Sequence, residues 1–176
     1  MIKYRIRLEA VQTPPIQTLE QVKYTLIGWH LHVLRTPKEQ LQRLTNYVVA
    51  DAYFSKSTFM DDALEMVFHV ISRFRDDAYF RYLTNEKPTR GKGRPKLYDG
   101  KIELENLEEG RFEIIQLEDG QGRILSAIVH SRSLRRKIRL CIWESADKKV
   151  RKLYFSTDTK MKAMDVLDYY RTRLQI

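Results

Sequence analysis

The segment Tyr47-Val-Val-Ala-Asp51 is a short apolar run that ends abruptly at a carboxylate. Such a run is typical of a buried strand that leads into a loop. Phe68-His-Val-Ile-Ser-Arg-Phe74 has the character of a second strand, and Ser57 is a candidate cap for a helix between the two. The expected inner face of that helix is Phe59, Met60, Ala63, Leu64 and Val67. Strands that alternate with helices predict an α/β layered sheet.

The flanking sequence extends this pattern in both directions. Upstream, residues 2–8 alternate as a half-buried strand does, residues 18–34 carry a helical apolar stripe, and a helix is expected after Pro37. A final helix is expected to begin at a cap formed by Asp158 or Thr159. Its predicted inner face is Met161, Met164, Leu167, Tyr170 and Leu174. Between these ends, turn residues separate four predicted antiparallel strands at 111–117, 123–131, 137–143 and 150–156.

The composition describes a folded chain with an excess of positive charge. The 176 residues are 43% hydrophobic and 31% charged, with a formal net charge of +9, which excludes disordered and fibrous classes. No apolar stretch approaches the length of a membrane span, so we expect a soluble protein of the cytoplasm. Cys141 is the only cysteine, which excludes an internal disulfide framework and suits a reducing compartment. The charge excess favours nucleic acid as the partner.

The basic residues are concentrated in two clusters. The first, at residues 87–101, contains the flexible segment Arg90-Gly-Lys-Gly-Arg-Pro-Lys96, which could follow a phosphate backbone or serve as an exposed linker. The second lies at residues 130–152, and an acidic stretch at residues 103–119 separates the two. Aromatic residues occur beside both clusters, so phosphate contacts could combine with base stacking. Solvated strand faces and loops are the alternative interpretation.

Asp51 is the strongest candidate for a chemical role. A carboxylate at the end of a buried strand lies at the sheet edge where α/β proteins place ligands. A loop or helix-start hydrogen bond is the alternative for any single aspartate. The four histidines do not form a metal-ligating pattern, and the sequence contains no glycine-rich phosphate loop, nucleophile elbow or zinc pair.

Several separated motifs resemble one known family. In chain order they are Val11-Gln-Thr-Pro-Pro15, Tyr47-Val-Val-Ala-Asp-Ala-Tyr-Phe-Ser-Lys56, His69-Val-Ile-Ser-Arg-Phe-Arg-Asp-Asp-Ala78, Arg81-Tyr-Leu83, Gly93-Arg-Pro-Lys-Leu-Tyr-Asp-Gly-Lys101, Leu153-Tyr-Phe-Ser-Thr-Asp158 and Val166-Leu-Asp-Tyr-Tyr-Arg-Thr-Arg-Leu-Gln-Ile176. In this order they resemble the DDE transposases of bacterial insertion sequences, in the group named after insertion sequence four. The resemblance covers nearly the whole chain.

The resemblance implies an RNase H-like core that a β-rich insertion interrupts before the C-terminal helix. Residues 1–86 would form part of that core, residues 87–157 the basic loop and the insertion, and residues 158–176 the closing helix. Asp51 would be the second of three catalytic carboxylates. In this family the three hold two Mg²⁺ ions for in-line phosphoryl transfer on DNA.

The resemblance also implies DNA contacts and limits the expected chemistry. Tyr170 and Arg173 match the start of the family's helix motif, whose glutamate would follow Ile176, and the first aspartate would precede this chain. With one of three metal ligands, the chain is not expected to be active alone. The residues expected at DNA are Tyr170, Arg173, Arg73, Arg75, Arg90, Lys92, Arg94 and Lys96. Core packing of the tyrosine and solvation of the arginines are the alternatives.

The sequence therefore predicts a DDE transposase fragment, with an α/β fold that is incomplete at both ends. By resemblance, intact relatives bind transposon ends, cut the DNA and carry out strand transfer during transposition. Duplex DNA and a homodimeric second protomer are the expected partners, with no membrane and no small-molecule substrate. A DNA-binding remnant without chemistry and an inert relic are the alternatives.

Overall fold

The computed structural model describes residues 13–84, 96–120 and 122–172. The chain divides into two compact units, Met1–Leu44 and Thr45–Ile176. The predicted strand at residues 2–8 and most of the glycine-rich basic segment lie outside the described residues. None of the helices in the described ranges is both long and apolar enough to cross a bilayer.

The helices of the first unit are α1 (Ile16–Gln21), α2 (Leu26–Arg35) and α3 (Lys38–Gln42). The single helical stripe predicted for residues 18–34 is divided between α1 and α2. Lys23 takes a left-handed conformation with a φ of 58°, which ends the first helix. The Thr25 hydroxyl then accepts a 3.0 Å hydrogen bond from the Gly28 amide and caps the second helix. The helix predicted after Pro37 is confirmed.

Within the described residues, the second unit is built on a mixed sheet of eight strands. They are β1 (Tyr47–Val49), β2 (His69–Arg73), β3 (Phe80–Leu83), β4 (Tyr98–Lys101), β5 (Glu113–Gln116), β6 (Arg123–Ser131), β7 (Arg136–Glu144) and β8 (Arg151–Ser156). The order across the sheet is β1-β2-β8-β7-β6-β3-β4, and β5 pairs with residues 123–126 of β6. Among the described strands, β1 and β2 pair in parallel and the other pairs are antiparallel. The predicted α/β class is confirmed.

Most of the predicted strands are confirmed. The range of β6 coincides with the predicted strand at residues 123–131. Neither β3 nor β4 was among the strands predicted from residue patterns. Because β8 pairs directly with β2, the strands predicted as an insertion continue the sheet that contains β1.

Helix α4 (Ser57–Glu65) connects β1 to β2 and packs against β2. Ser57 is its first helical residue and makes no side-chain cap bond, so the predicted cap is wrong. The predicted inner face is correct at Phe59, Met60 and Ala63, which are buried. Val67 lies beyond the end of the helix with a φ of 64° and is 62% exposed, so its predicted burial is wrong.

Helix α5 (Ala163–Thr172) packs against β2, β7 and β8. Its buried residues share a core with apolar side chains of the sheet, and this core comprises Ile71, Ile124, Cys141, Met161, Ala163, Val166, Leu167 and Tyr170. Met164 is 37% exposed, which contradicts its predicted place on the inner face. Leu174, the last residue predicted there, lies outside the described residues.

Asp158 does not cap α5, because its carboxylate binds other groups. Oδ2 accepts a 2.7 Å hydrogen bond from the Tyr47 hydroxyl, and Oδ1 accepts a 2.9 Å bond from the Lys160 amide. The hydrogen bond to Asp158, together with burial, raises the pKa of Tyr47 to about 12. Burial raises the pKa of Asp158, but these hydrogen bonds outweigh it and hold the pKa below its ordinary value.

A buried ion cluster joins β6, β7 and β8 at one end of the sheet. Glu144 is fully buried, and its carboxylate accepts hydrogen bonds from Arg123 Nε at 2.6 Å and from Arg151 Nε at 2.8 Å. Burial raises the pKa of Glu144, but the two arginines outweigh it and leave the pKa below its ordinary value. Gly122 passes so close that a Cβ there would lie 2.0 Å from the Glu144 carbonyl oxygen.

Candidate functional site

Asp51 follows β1 at its C-terminal end, as predicted. The Ala50 amide still donates to the Ile71 carbonyl at 2.9 Å, so the parallel pairing with β2 extends up to the aspartate. Asp51 then takes an extended conformation, and its Oδ1 accepts a 3.0 Å hydrogen bond from the Tyr53 amide. The carboxylate therefore caps the 3₁₀ turn Ala52–Phe54. This is the local hydrogen-bonding role that the sequence left as an alternative.

Two serine hydroxyls fasten the chain around Asp51 to the end of β2. The buried Ser72 hydroxyl donates to the Asp51 carbonyl at 3.1 Å. The Ser55 hydroxyl donates to the Arg73 carbonyl at 2.7 Å. These bonds satisfy backbone acceptors at a sheet edge where the ladder has ended, and they fix the position of the aspartate relative to β2.

The last turn of α5 contacts both β8 and β1. Arg73, the last residue of β2, pairs with Tyr154 of β8, and the Tyr154 ring centroid lies 5.0 Å from that of Tyr170. Burial raises the pKa of Tyr154, and the charges of Arg171 and Arg73 act in the opposite direction. The neighbouring Tyr169 ring stacks on that of Tyr47 at the start of β1, with centroids 5.8 Å apart, so this turn of α5 packs on residues near both edges of the sheet.

The metal-ligating groups implied by the resemblance are not assembled within the described ranges. Among residues 13–84, 96–120 and 122–172, no three or more His, Cys, Asp or Glu side chains are grouped so that they could hold a metal ion. Asp158 belongs to the opposite edge, because it follows β8 and binds Tyr47 at the start of β1. Asp51 alone does not fit a two-ion site, which needs several carboxylates.

The residues predicted to contact DNA differ in their exposure and in their neighbours. Tyr170 is only 3% exposed, so the packing role that the sequence left open accounts for its position. Arg73 and Arg75 are exposed at and just beyond the end of β2. Lys96 is exposed but lies 2.8 Å from a carboxylate oxygen of Asp99. The other predicted contacts, which lie outside the described residues, are Arg90, Lys92, Arg94 and Arg173.

Arg75 lies in a groove whose other basic residues were not singled out from the sequence. The groove has a volume of about 1030 Å³ and lies beside Asp51, because Ala52 and Tyr53 form part of its wall. We call it the basic groove, after the side chains that line it: Lys56, Arg75, Arg81, Arg132 and Arg135. In the sequence, the only local sign of this groove is the turn at residues 132–135, which contains two arginines. The sequence does not show which distant residues lie beside that turn.

No family model matches the chain, and no match was found among curated proteins or among solved structures. The assignment of function therefore rests on the sequence resemblance and on the geometry around Asp51. The structural features relevant to function are the C-terminal end of β1, helix α5 and the basic groove.

Proposed function

We propose that this chain is part of a DNA transposase of the DDE type, in which β1, α4 and β2 belong to an RNase H-like core. The observation that carries the proposal is that Asp51 directly follows β1, while Tyr170 of α5 packs on Tyr154, the strand partner of Arg73 at the end of β2. In the family that the sequence resembles, the second aspartate follows a strand and the glutamate lies on the last helix. Both must meet at one edge to form one site.

The proposed substrate is DNA, bound at transposon ends by two protomers in the bacterial cytoplasm. Exposed Arg73 and Arg75 lie next to Asp51, where a phosphate backbone would have to pass. Mg²⁺ is the proposed cofactor of the complete catalytic set, since carboxylate oxygens are the ligands it prefers. The described residues contribute Asp51 to that set, so we propose no cleavage of DNA by this chain alone.

A second candidate is a DNA-binding protein without cleavage activity. It is favoured by the contrast between the five cations of the basic groove and the lack of an assembled metal-ligand group among the described residues. Both candidates require DNA binding that weakens steeply as salt concentration rises. They differ in origin, because the first requires the gene to lie in a mobile element.

The DNA that flanks the gene tests the proposed function. We expect one copy of a terminal repeat on each side of the gene, with the two copies in opposite orientation. Labelled duplexes that carry one repeat should bind the purified chain, and the logarithm of the affinity should fall linearly with the logarithm of salt concentration. Absence of inverted repeats, with salt-dependent binding retained, would leave the second candidate. A duplex affinity that does not respond to salt would exclude both.

A nicking assay tests the proposed lack of activity. We expect no Mg²⁺-dependent nicking of supercoiled plasmid by the purified chain. The matched variants are Asp51→Ala and Asp76→Ala, since Asp76 is an exposed aspartate just beyond β2. Nicking that disappears in the first variant and persists in the second would contradict the proposed inactivity and would make Asp51 a catalytic residue.

A further inference from the structure

The basic groove is formed by parts of the chain that are far apart in sequence. Its walls are the 3₁₀ turn after Asp51 with the adjacent Lys56, the connection between β2 and β3, Arg81 of β3, and the turn between β6 and β7. All of these lie in the second unit. Sheet pairing therefore brings the cations together: β3 pairs with β6, so Arg81 lies close to the arginines that follow β6.

The cations of the groove are not neutralised by the rest of the described chain. Asp77 lines the groove, yet none of the five basic side chains forms an ion pair with a described carboxylate. Other arginines of the same sheet do have such partners, as Arg136 does with Asp61 and Arg139 with Glu113. Like charges that converge on a groove repel one another, and a bound polyanion would relieve that repulsion.

Aromatic rings lie among these cations. The Tyr79 ring has the guanidinium carbon of Arg81 at 5.5 Å and that of Arg132 at 5.4 Å from its centroid. Tyr53, on the wall nearest Asp51, is 42% exposed, and Lys56 Nζ lies 4.3 Å from its ring centroid. A partly exposed ring such as that of Tyr53, beside cations, allows a base to stack while its phosphates are neutralised.

We propose that the basic groove binds single-stranded DNA, with phosphates on the arginines and a base stacked on Tyr53. The choice of DNA over other polyanions rests on the proposed function. Single-stranded DNA is preferred over duplex because only unpaired bases present a face to an aromatic ring. The volume of about 1030 Å³ also lies near the upper limit of small-molecule pockets, which suits a few nucleotides of one strand.

Fluorescence anisotropy with labelled oligo(dT) of about 15 nucleotides tests the inference on the whole chain, with a duplex of equal length as a second probe. Arg132→Ala/Arg135→Ala removes two exposed cations of the groove. Lys149→Ala/Lys162→Ala is the matched control, because it removes two exposed cations that do not line the groove. Thermal unfolding of each variant establishes that it is folded before binding is compared.

We expect the groove variant to bind oligo(dT) roughly tenfold or more weakly, since two charge-assisted contacts are lost. The slope of log affinity against log salt should also fall by about 1.4, or about 0.7 for each phosphate contact removed. The control should change affinity by less than about threefold. Tyr53→Ala should weaken binding at least about fivefold, and Tyr53→Phe should restore it, because stacking needs the ring and not the hydroxyl.

Equal oligo(dT) affinity in the groove variant and the control variant would overturn the inference. Binding of duplex without binding of oligo(dT) would overturn it too, but would leave the proposed function standing. If neither probe binds, the inference and the proposed function fail together. Loss of binding in Tyr53→Phe as complete as in Tyr53→Ala would remove the stacking part of the proposal.

Discussion

Replacement of Glu144 by glutamine should strongly destabilise the second unit. The side chain is fully buried, and it accepts hydrogen bonds from Arg123 and Arg151, whose own side chains are 13% and 29% exposed. Glutamine keeps the shape of glutamate but has one acceptor oxygen in place of two. If that oxygen stays with Arg151, the amide NH₂ group faces Arg123 Nε, and two donors then oppose each other.

The expected loss of unfolding free energy depends on which hydrogen-bond partners Arg123 and Arg151 retain in the variant. Removal of one partner of a buried ion pair costs about 3–5 kcal/mol, because a charge is left buried without compensation. Arg123 retains Glu109 as a partner, with Nη2 at 2.5 Å from Oε1, and Arg151 retains the carbonyl of Leu104. We therefore expect a loss near the lower end of that range, about 3 kcal/mol, which is a large part of the stability of a typical domain.

Urea unfolding followed by circular dichroism measures this loss, with Glu105→Gln as the control. Glu105 is exposed, so the same chemical change there should alter the free energy of unfolding by less than about 0.5 kcal/mol. Because the folded state lowers the pKa of Glu144, its contribution is present above the unfolded pKa and lost as the pH falls through the folded pKa. The variant should thus approach wild type in acid. If the free energy of unfolding of Glu144→Gln at neutral pH lay within about 1 kcal/mol of that of Glu105→Gln, the reasoning would be refuted.

Three further predictions concern single positions. Gly122→Ala should lower the free energy of unfolding by at least about 2 kcal/mol, because the new Cβ would lie 2.0 Å from a carbonyl oxygen and the residue has a φ of 102°. Gly110→Ala is the control in the same unfolding assay and should be nearly neutral, because the space around Gly110 is open. Tyr47→Phe should cost about 1 kcal/mol at neutral pH by losing its bond to Asp158. Because the folded pKa of Tyr47 is raised to about 12, wild type should lose this stability as the pH rises from about 10 to 12, and the variant should not. Cys141 is buried with a pKa raised to about 12, so a thiol reagent at pH 8 should label it only after unfolding; rapid labelling of the native chain would contradict its burial.

The strands that could be predicted are those whose own residues carry the signal. The range of β6 follows from a long apolar run bounded by a glycine and by the arginine-rich turn. By contrast, β4 consists of Tyr-Asp-Gly-Lys, which has no apolar alternation, and it becomes a strand because β3 lies beside it. The break between α1 and α2 was missed for a related reason. It depends on the left-handed conformation of Lys23, a residue type that gives no warning of it.

The location of Asp51 could be predicted because it depends on a few adjacent residues. An apolar run that ends at a carboxylate places that carboxylate at a strand end in most sheets. Which other groups share the edge is decided by pairings between distant strands. Thus β8 beside β2 places Tyr154, on which Tyr170 of α5 packs, opposite Arg73 at the end of β2, and the same pairing carries Asp158 to the opposite edge.

The positive charge excess agrees in sign with the proposed nucleic-acid partner, but proximity in sequence does not separate cations that pair with carboxylates from those that do not. Within residues 130–152, Arg136 and Arg139 form ion pairs with carboxylates from distant parts of the chain. Arg151 forms an ion pair with Glu144 on the neighbouring strand, so the charges of these arginines contribute to the fold. Arg132 and Arg135, a few residues away, face the basic groove without such a partner among the described residues. An arginine that could bind a phosphate thus differs from one that stabilises the fold in whether strand pairing places a carboxylate next to it. Where cations without a carboxylate partner converge, among the described residues, is therefore decided by strand order rather than by local composition.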